Sequence, residues 1–122
     1  MKKIYYHKLI RDGIRRKMED KGLAFEVKKL SQKDFEKALV AKVEEEAKEL
    51  AQARTMDEFM KEFADLTVIM DEIKKVKKIS LAAFRAAQKE NLKKKGGFAE
   101  RLWLVWSEDD GYRGTEKKRV KK

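Results

Sequence analysis

Helical periodicity constrains the fold of this chain more than any other feature, because it extends through residues 31–95 with no proline to interrupt it. Ser31 and Thr55 are typical helix N-caps, each followed three positions later by an acidic residue. Ser80 begins a third segment, which ends at Gly96-Gly97, a pattern typical of a helix C-cap. We therefore predict a mainly α fold, with long helices from Ser31 to about Arg54, from Thr55 to about Lys77 and from Ser80 to the glycine pair.

The flanking segments are shorter and mixed in character. Gly13 and Gly22 punctuate the N-terminal part, where the pattern predicts a short helix over 14–21 and a strand over 25–30. Residues 98–107 are rich in aromatic and β-branched side chains, which favours a second strand. We expect these N-terminal and C-terminal segments to contribute a short β element beside the helices.

Composition excludes several classes of protein. The chain has no cysteine and a single histidine, His7, which excludes a disulfide scaffold, a thiolate zinc site and a cysteine nucleophile. Its longest unbroken apolar run, 102–106, is far too short to span a membrane, and the N-terminus lacks the apolar run of a secretory signal. We expect a single domain over residues 1–110 and a cytoplasmic location.

The basic charge suggests a second class of function. Lys and Arg number 32 against 22 Asp and Glu, and half of the net charge of +10 lies in residues 111–122, which we expect to form a flexible tail. Such basic blocks bind nucleic-acid backbones without sequence preference. A non-enzymatic nucleic-acid-binding module is therefore an alternative, although the acidic cluster at 44–49 would repel a phosphate backbone. Deletion of 113–122 would distinguish the two, because it would abolish nucleic-acid binding and leave a catalytic site intact.

Four carboxylates lie on or beside the apolar stripes of the first two long helices. At 100° per residue, Glu46 falls about 20° from Phe35, inside the first stripe, and Glu49 falls on its edge. In the second helix Glu62 lies beside the stripe and Asp65 at its border. Each helix thus places an i,i+3 pair of carboxylates at its apolar face. The apolar positions that define the stripes are Phe35, Leu39, Val43 and Leu50, then Phe59, Phe63, Leu66, Met70 and Ile73.

The short loop between these helices predicts antiparallel neighbours whose carboxylate pairs converge near the connected end. Carboxylates gathered in a partly dry site require cations, and all-oxygen ligation favours Mg²⁺ or Mn²⁺ over zinc or iron. The alternative interpretation is a solvated helix face, in which the glutamates pair with Lys42 and Lys48. Composition and spacing leave both interpretations open.

In chain order these residues resemble the signature of the MazG-like all-α nucleotide pyrophosphohydrolase superfamily. The family motif is Glu-x-x-Glu, a spacer, then Glu-x-x-Asp; here it reads Glu46 to Glu49, twelve residues, then Glu62 to Asp65. The resemblance implies a MazG-like helical bundle that hydrolyses an NTP or dNTP to the monophosphate and pyrophosphate, with a role in cleaning the nucleotide pool. It also implies that all four carboxylates bind Mg²⁺, with Mn²⁺ as a substitute, and act in catalysis.

The segments that flank the motif add to the resemblance. Residues 6–14, Tyr-His-Lys-Leu-Ile-Arg-Asp-Gly-Ile, and residues 94–104 look like the two ends of the stand-alone branch often labelled phosphoribosyl-ATP pyrophosphohydrolase-like. The resemblance covers about residues 5–107. It departs from the family at Arg15, where proline is usual, and at Lys95, where arginine is frequent.

The label of that branch makes phosphoribosyl-ATP hydrolysis in histidine biosynthesis an alternative reaction. Substrate phosphates need cationic and polar partners, and the two ends of the matched region supply candidates. The candidate substrate-binding residues are Lys8, Arg11, Asn91, Lys94, Lys95 and Arg101.

Three principal helices make a thin core, so we expect a homodimer or larger homo-oligomer to complete the bundle, with the site near the subunit interface.

Overall fold

The computed structural model describes residues 2–111, and within them it contains four α-helices and no β-strand. The helices are α1 (Asp12–Asp20), α2 (Gln32–Ala51), α3 (Met56–Val76) and α4 (Leu81–Lys95). The prediction of a mainly α fold is confirmed, and each helix lies within a few residues of its expected bounds. None of the described helices is long and apolar enough to cross a membrane.

The chain divides into two compact units, Met1–Ala86 and Ala87–Lys122, with the boundary inside α4. The first unit contains α1, α2 and α3, together with all four carboxylates of the motif. The expected basic tail, apart from Gly111, lies outside the described residues. The assignment of residues 1–110 to one domain stays a prediction.

Side-chain caps start the three long helices where the sequence predicts them. At Ser31, Thr55 and Ser80 the hydroxyl accepts a hydrogen bond from the backbone N–H three residues ahead, at 3.2, 3.1 and 3.1 Å respectively. The Glu58 carboxylate also accepts the Arg54 N–H at 2.8 Å. Each cap of this kind contributes about 1 kcal/mol to helix stability. Because these bonds are local, the helix starts can be predicted from the sequence.

Helices α2 and α3 form an antiparallel hairpin joined by the loop 52–55. The Lys77 ammonium just after α3 lies 2.6 Å from a carboxylate oxygen of Glu36 near the start of α2, so the two ends meet. Leu39 and Ile69 are the buried apolar residues of the hairpin, at 5% and 8% exposed. So small a core makes the stability of the hairpin sensitive to every other contact.

The predicted apolar stripe of α3 is divided between two faces, which corrects its expected centre. Leu66 and Ile73 are half-buried beside the buried Ile69, whereas Phe59 and Phe63 remain 41% and 48% exposed. The helix is apolar over more than one face, so periodicity alone does not select the face that meets α2. The outward apolar residues form the exposed α3 face: Met56, Phe59, Met60, Phe63 and Met70.

Neither predicted strand, 25–30 or 98–107, forms among the described residues. Phe98 and Trp103 are 96% and 89% exposed, so these two aromatic residues pack little against the described part of the chain. A strand is stable only where a neighbouring strand satisfies its backbone groups, and neither segment meets one within residues 2–111. The prediction of a short β element, based on side-chain composition, was therefore wrong for this part of the chain.

The C-terminus of α3 offers a test of backbone strain. Lys78 has a φ of +57°, and the turn is closed by the Ile79 N–H on the Lys74 carbonyl at 2.9 Å, as in a Schellman motif. A left-handed conformation strains lysine but not glycine. Lys78→Gly should therefore stabilise the chain by about 1 kcal/mol and raise its Tm by several degrees in thermal unfolding.

Lys75→Gly is the matched control, because Lys75 is an exposed residue inside the last turn of the same helix. It should lower stability by about 1 kcal/mol, since glycine is a poor helix former. A fall in Tm for Lys78→Gly would contradict the assignment of strain to that position.

Candidate metal centre

The helical hairpin brings three carboxylates of the motif together. Glu46 and Glu49 lie one turn apart on α2, and Glu62 reaches them from α3 across the antiparallel pair. One carboxylate oxygen from each residue lies within 4.8 Å of those of the other two. The short loop and the i,i+3 spacing therefore produce the convergence that the sequence predicts for these three residues.

Burial distinguishes this cluster from an ordinary acidic helix surface. Glu46 is only 7% exposed, Glu62 is half-buried and Glu49 is exposed. The Oε2 atoms of Glu46 and Glu62 are buried and accept no hydrogen bond from the described residues. An unsatisfied buried oxygen is unfavourable, and more so when it is charged. The interpretation of Glu46 as part of a solvated face is therefore wrong, because the residue is buried.

Lys42 is the cation that the hairpin itself supplies. Its ammonium lies 3.7 Å from Glu46 Oε1 and 3.1 Å from Glu45 Oε1, and its side chain is only 14% exposed. The sequence interpretation that paired Lys42 with these glutamates is thus correct for the contact, although not for solvent exposure. The i,i+3 and i,i+4 spacings are the signal that reveals this lysine. One ammonium leaves the charges of Glu49 and Glu62 uncompensated.

The pKa values of the glutamates follow from this arrangement. Burial and then the charge of Glu49 raise the pKa of Glu46, and Lys42 offsets only part of the effect. Burial, followed by a hydrogen bond with Glu49 and repulsion from Glu49, raises the pKa of Glu62, and a hydrogen bond with Glu46 offsets only part of the effect. Burial also acts on Glu45, but the hydrogen bond and charge of Lys42, with the charge of Lys8, outweigh it and lower its pKa. The surroundings therefore disfavour the ionised forms of Glu46 and Glu62 and favour that of Glu45.

Asp65, the fourth predicted ligand, stands next to the cluster but has a different partner. Its Oδ1 atom accepts a hydrogen bond from Nη1 of Arg11 at 3.1 Å. Its charge still reaches the cluster, since it contributes to the raised pKa values of Glu46 and Glu62. The structure thus brings together three of the four motif carboxylates and holds the fourth in an ion pair.

The N-terminal segment carries two of the predicted substrate-binding residues to this end of the hairpin. The Lys8 ammonium lies 3.4 Å from Glu45 Oε1, and Arg11 binds Asp65. Both contacts span more than 30 residues of sequence, so local patterns do not predict them. Lys8 and Arg11 therefore lie at carboxylates that border the cluster, and their contacts with substrate stay predictions.

The other predicted substrate-binding residues belong to the second unit. Asn91, Lys94 and Lys95 are exposed residues on the last turns of α4, and the Lys94 ammonium lies 3.5 Å from Glu90. Arg101 follows in a turn, where its N–H donates to the Phe98 carbonyl at 3.0 Å. Their contacts with substrate stay predictions.

The donor set suits a hard divalent cation. Its three carboxylates supply only oxygen ligands, which Mg²⁺ and Mn²⁺ accept and which zinc and copper sites rarely use alone. The two orphaned oxygens, on Glu46 and Glu62, gain through a cation the partner that the protein does not provide. The residues present therefore fit a site for such an ion.

Comparison of the chain with models of known protein families, with curated proteins and with solved structures found no match. The resemblance to MazG-like enzymes therefore rests on the motif residues and the two segments that flank them.

The raised pKa of Glu46 predicts a pH-dependent penalty in the metal-free protein. Because the folded-state pKa lies above the ordinary 4.5, the stabilising effect of protonation is complete below pH 4.5 and is lost as pH rises through the raised value. Glu46→Gln, which is uncharged at every pH, should therefore raise the Tm near pH 7 in the presence of a chelator. That gain should shrink as the pH falls towards 4.5.

Glu44→Gln is the control for this comparison, because Glu44 lies on the exposed face of the same helix. Its Tm difference from the wild type should vary little over the same pH range. An equal pH dependence in both variants, measured by thermal unfolding, would show that Glu46 carries no special penalty.

Proposed function

We propose that this chain is a divalent-metal-dependent nucleotide pyrophosphohydrolase, which converts an NTP or dNTP to the monophosphate and pyrophosphate. The observation that carries the proposal is the buried carboxylate of Glu46, whose unpartnered Oε2 atom belongs to a three-carboxylate cluster with Glu49 and Glu62. A site of this kind attracts a hard cation, and such cations bind polyphosphates. The order and spacing of the motif supply the nucleotide as the substrate class.

In this proposal Glu46, Glu49 and Glu62 hold the cation, with Asp65 as a fourth ligand. When bound there, Mg²⁺ or Mn²⁺ would supply charge neutralisation for the polyphosphate and a lowered pKa for an attacking water. Lys42 keeps Glu46 Oε1 in place from the other side, through its contact at 3.7 Å. The chain contains no cysteine, and a water nucleophile agrees with that composition.

The cations of the N-terminal segment complete the proposed site. Lys8 and Arg11 lie at carboxylates that border the cluster, so a polyphosphate bound there would meet both side chains. Both are 41% or more exposed, which leaves them accessible to a ligand from solvent.

Phosphoribosyl-ATP is the alternative substrate, since it carries the same triphosphate chemistry and follows from the branch label. The nucleic-acid-binding alternative depends on residues 113–122, which lie outside the described part of the chain.

Pyrophosphate release from a panel of NTPs, dNTPs and phosphoribosyl-ATP with Mg²⁺ tests the reaction. The wild type should yield pyrophosphate and a monophosphate, and Glu46→Gln should lower kcat/KM by at least about 10²-fold, because it removes the buried ligand charge. Glu44→Gln should retain activity, since that side chain points away from the cluster.

Release of orthophosphate instead of pyrophosphate would contradict the proposed bond cleavage. Equal rates for the wild type and Glu46→Gln would remove the carboxylate cluster from the mechanism. Inactivity towards every nucleotide in the panel would remove the enzymatic assignment itself.

The proposed assembly is a homo-oligomer that completes a MazG-like helical bundle. Two packed helices with Leu39 and Ile69 as their buried apolar residues are less than a full bundle, and the exposed α3 face is apolar along more than three turns. A second copy of the hairpin would supply the missing helices through a symmetric contact.

Light scattering coupled to size exclusion tests this assembly. The wild type should elute at two or more times the chain mass of 14.4 kDa. Phe63→Lys, which introduces a charge at the centre of the exposed α3 face, should shift it towards the single-chain mass. Val68→Lys is the control, because Val68 is comparably exposed on another side of α3. A wild type found only at 14.4 kDa would refute the oligomer.

A further inference from the structure

The partner of Asp65 differs from those of the other motif carboxylates. Glu46, Glu49 and Glu62 face one another, whereas Asp65 Oδ1 is held by the Arg11 guanidinium at 3.1 Å. Asp65 nevertheless lies close enough for its charge to raise the pKa of Glu46 and of Glu62. Asp65 therefore lies at the border of the site, and its present partner, Arg11, belongs to the N-terminal segment.

The backbone fixes Arg11 in a position to act on Asp65. Arg11 is the N-cap residue of α1, and its carbonyl accepts the Ile14 N–H at 3.0 Å. Its guanidinium has no acceptor atom with which to cap the helix, and it donates to Asp65 on α3 instead. Three positions earlier Lys8 holds Glu45, which secures the segment at a second point. Residues 8–11 thus lie along the carboxylate end of the hairpin as a strap with two cationic contacts.

We propose that Arg11 is an exchangeable latch on Asp65, an inference that rests on the proposed function. In the metal-free chain Arg11 holds Asp65 away from the carboxylate cluster. When a polyphosphate arrives with its divalent cation, Asp65 turns to the cation and Arg11 turns to the phosphate. Each group exchanges one opposite charge for another, so no charge is left unpaired.

The chemistry of the two side chains favours this exchange. The Arg11 and Asp65 side chains are 59% and 42% exposed, and ion pairs in that environment are weak enough to be displaced. A guanidinium binds phosphate oxygens with two parallel hydrogen bonds, which makes a polyphosphate a stronger partner than one carboxylate oxygen. An aspartate oxygen is in turn a preferred ligand of Mg²⁺ and Mn²⁺.

The test measures Mn²⁺ binding to the full chain without nucleotide, by the loss of the electron paramagnetic resonance signal of free Mn²⁺. Arg11→Gln should bind Mn²⁺ about two- to fivefold more tightly than the wild type, because the weak ion pair no longer competes for Asp65. The same variant should bind inorganic tripolyphosphate with Mn²⁺ about tenfold more weakly, because it lacks the phosphate contact.

Two controls separate a latch from the loss of a nearby positive charge. In an Asp65→Asn background Arg11 has no carboxylate to hold, so adding Arg11→Gln should tighten Mn²⁺ binding much less than it does in the wild type. Lys8→Gln removes a cation of the same strap that does not contact Asp65. Its effect on Mn²⁺ affinity therefore measures the loss of a nearby positive charge alone. Equal tightening by Arg11→Gln in the wild type and in the Asp65→Asn background, or full reproduction of the effect by Lys8→Gln, would overturn the latch.

The outcomes also separate the latch from the proposed metal site. Mn²⁺ binding that Glu46→Gln abolishes but Arg11→Gln does not tighten overturns the latch and leaves the site standing. A wild type that binds no Mn²⁺, or binds it as well in Glu46→Gln, overturns the site and the latch together.

Discussion

Repulsion among the carboxylates of Glu46, Glu49 and Glu62 shapes this end of the molecule, because their oxygens lie within 4.8 Å of one another and Glu46 is nearly buried. The burial of Glu46 strengthens that repulsion at its carboxylate and withholds water that would otherwise solvate its charge. The ammonium of Lys42, on α2, offsets part of the repulsion. The unpartnered oxygens of Glu46 and Glu62 show where a second cation would lower the energy most.

The hairpin that holds these charges has little apolar packing to offset their repulsion. Leu39 and Ile69 are its buried apolar residues, and the exposed α3 face adds nothing within a single chain. A structure that keeps an unfavourable charge cluster on so small a core gains most when ligands and partners bind. The acidic cluster, the cationic strap and the exposed α3 face are the features that support the proposals of a bound cation, a polyphosphate substrate and a second copy.

Sequence reasoning succeeds here where the governing interactions are local. Side-chain caps at Ser31 and Thr55 and a 3.6-residue period locate the helices, and the same period places Glu46 among apolar residues. It fails where distant neighbours decide. The segment at 98–107 meets no strand within the described residues, and the face of α3 that meets α2 depends on the fit of both helices. The Arg11–Asp65 pair spans 54 residues and leaves no periodic signal.

The most direct test of the central claim is anomalous diffraction from crystals of the chain grown or soaked with Mn²⁺. The account predicts a manganese peak between α2 and α3, about 2.1–2.2 Å from carboxylate oxygens of Glu46, Glu49 and Glu62. It would be contradicted by a map with no peak at that position, in which the Lys42 ammonium or a neighbouring protonated carboxyl satisfies the buried oxygens instead.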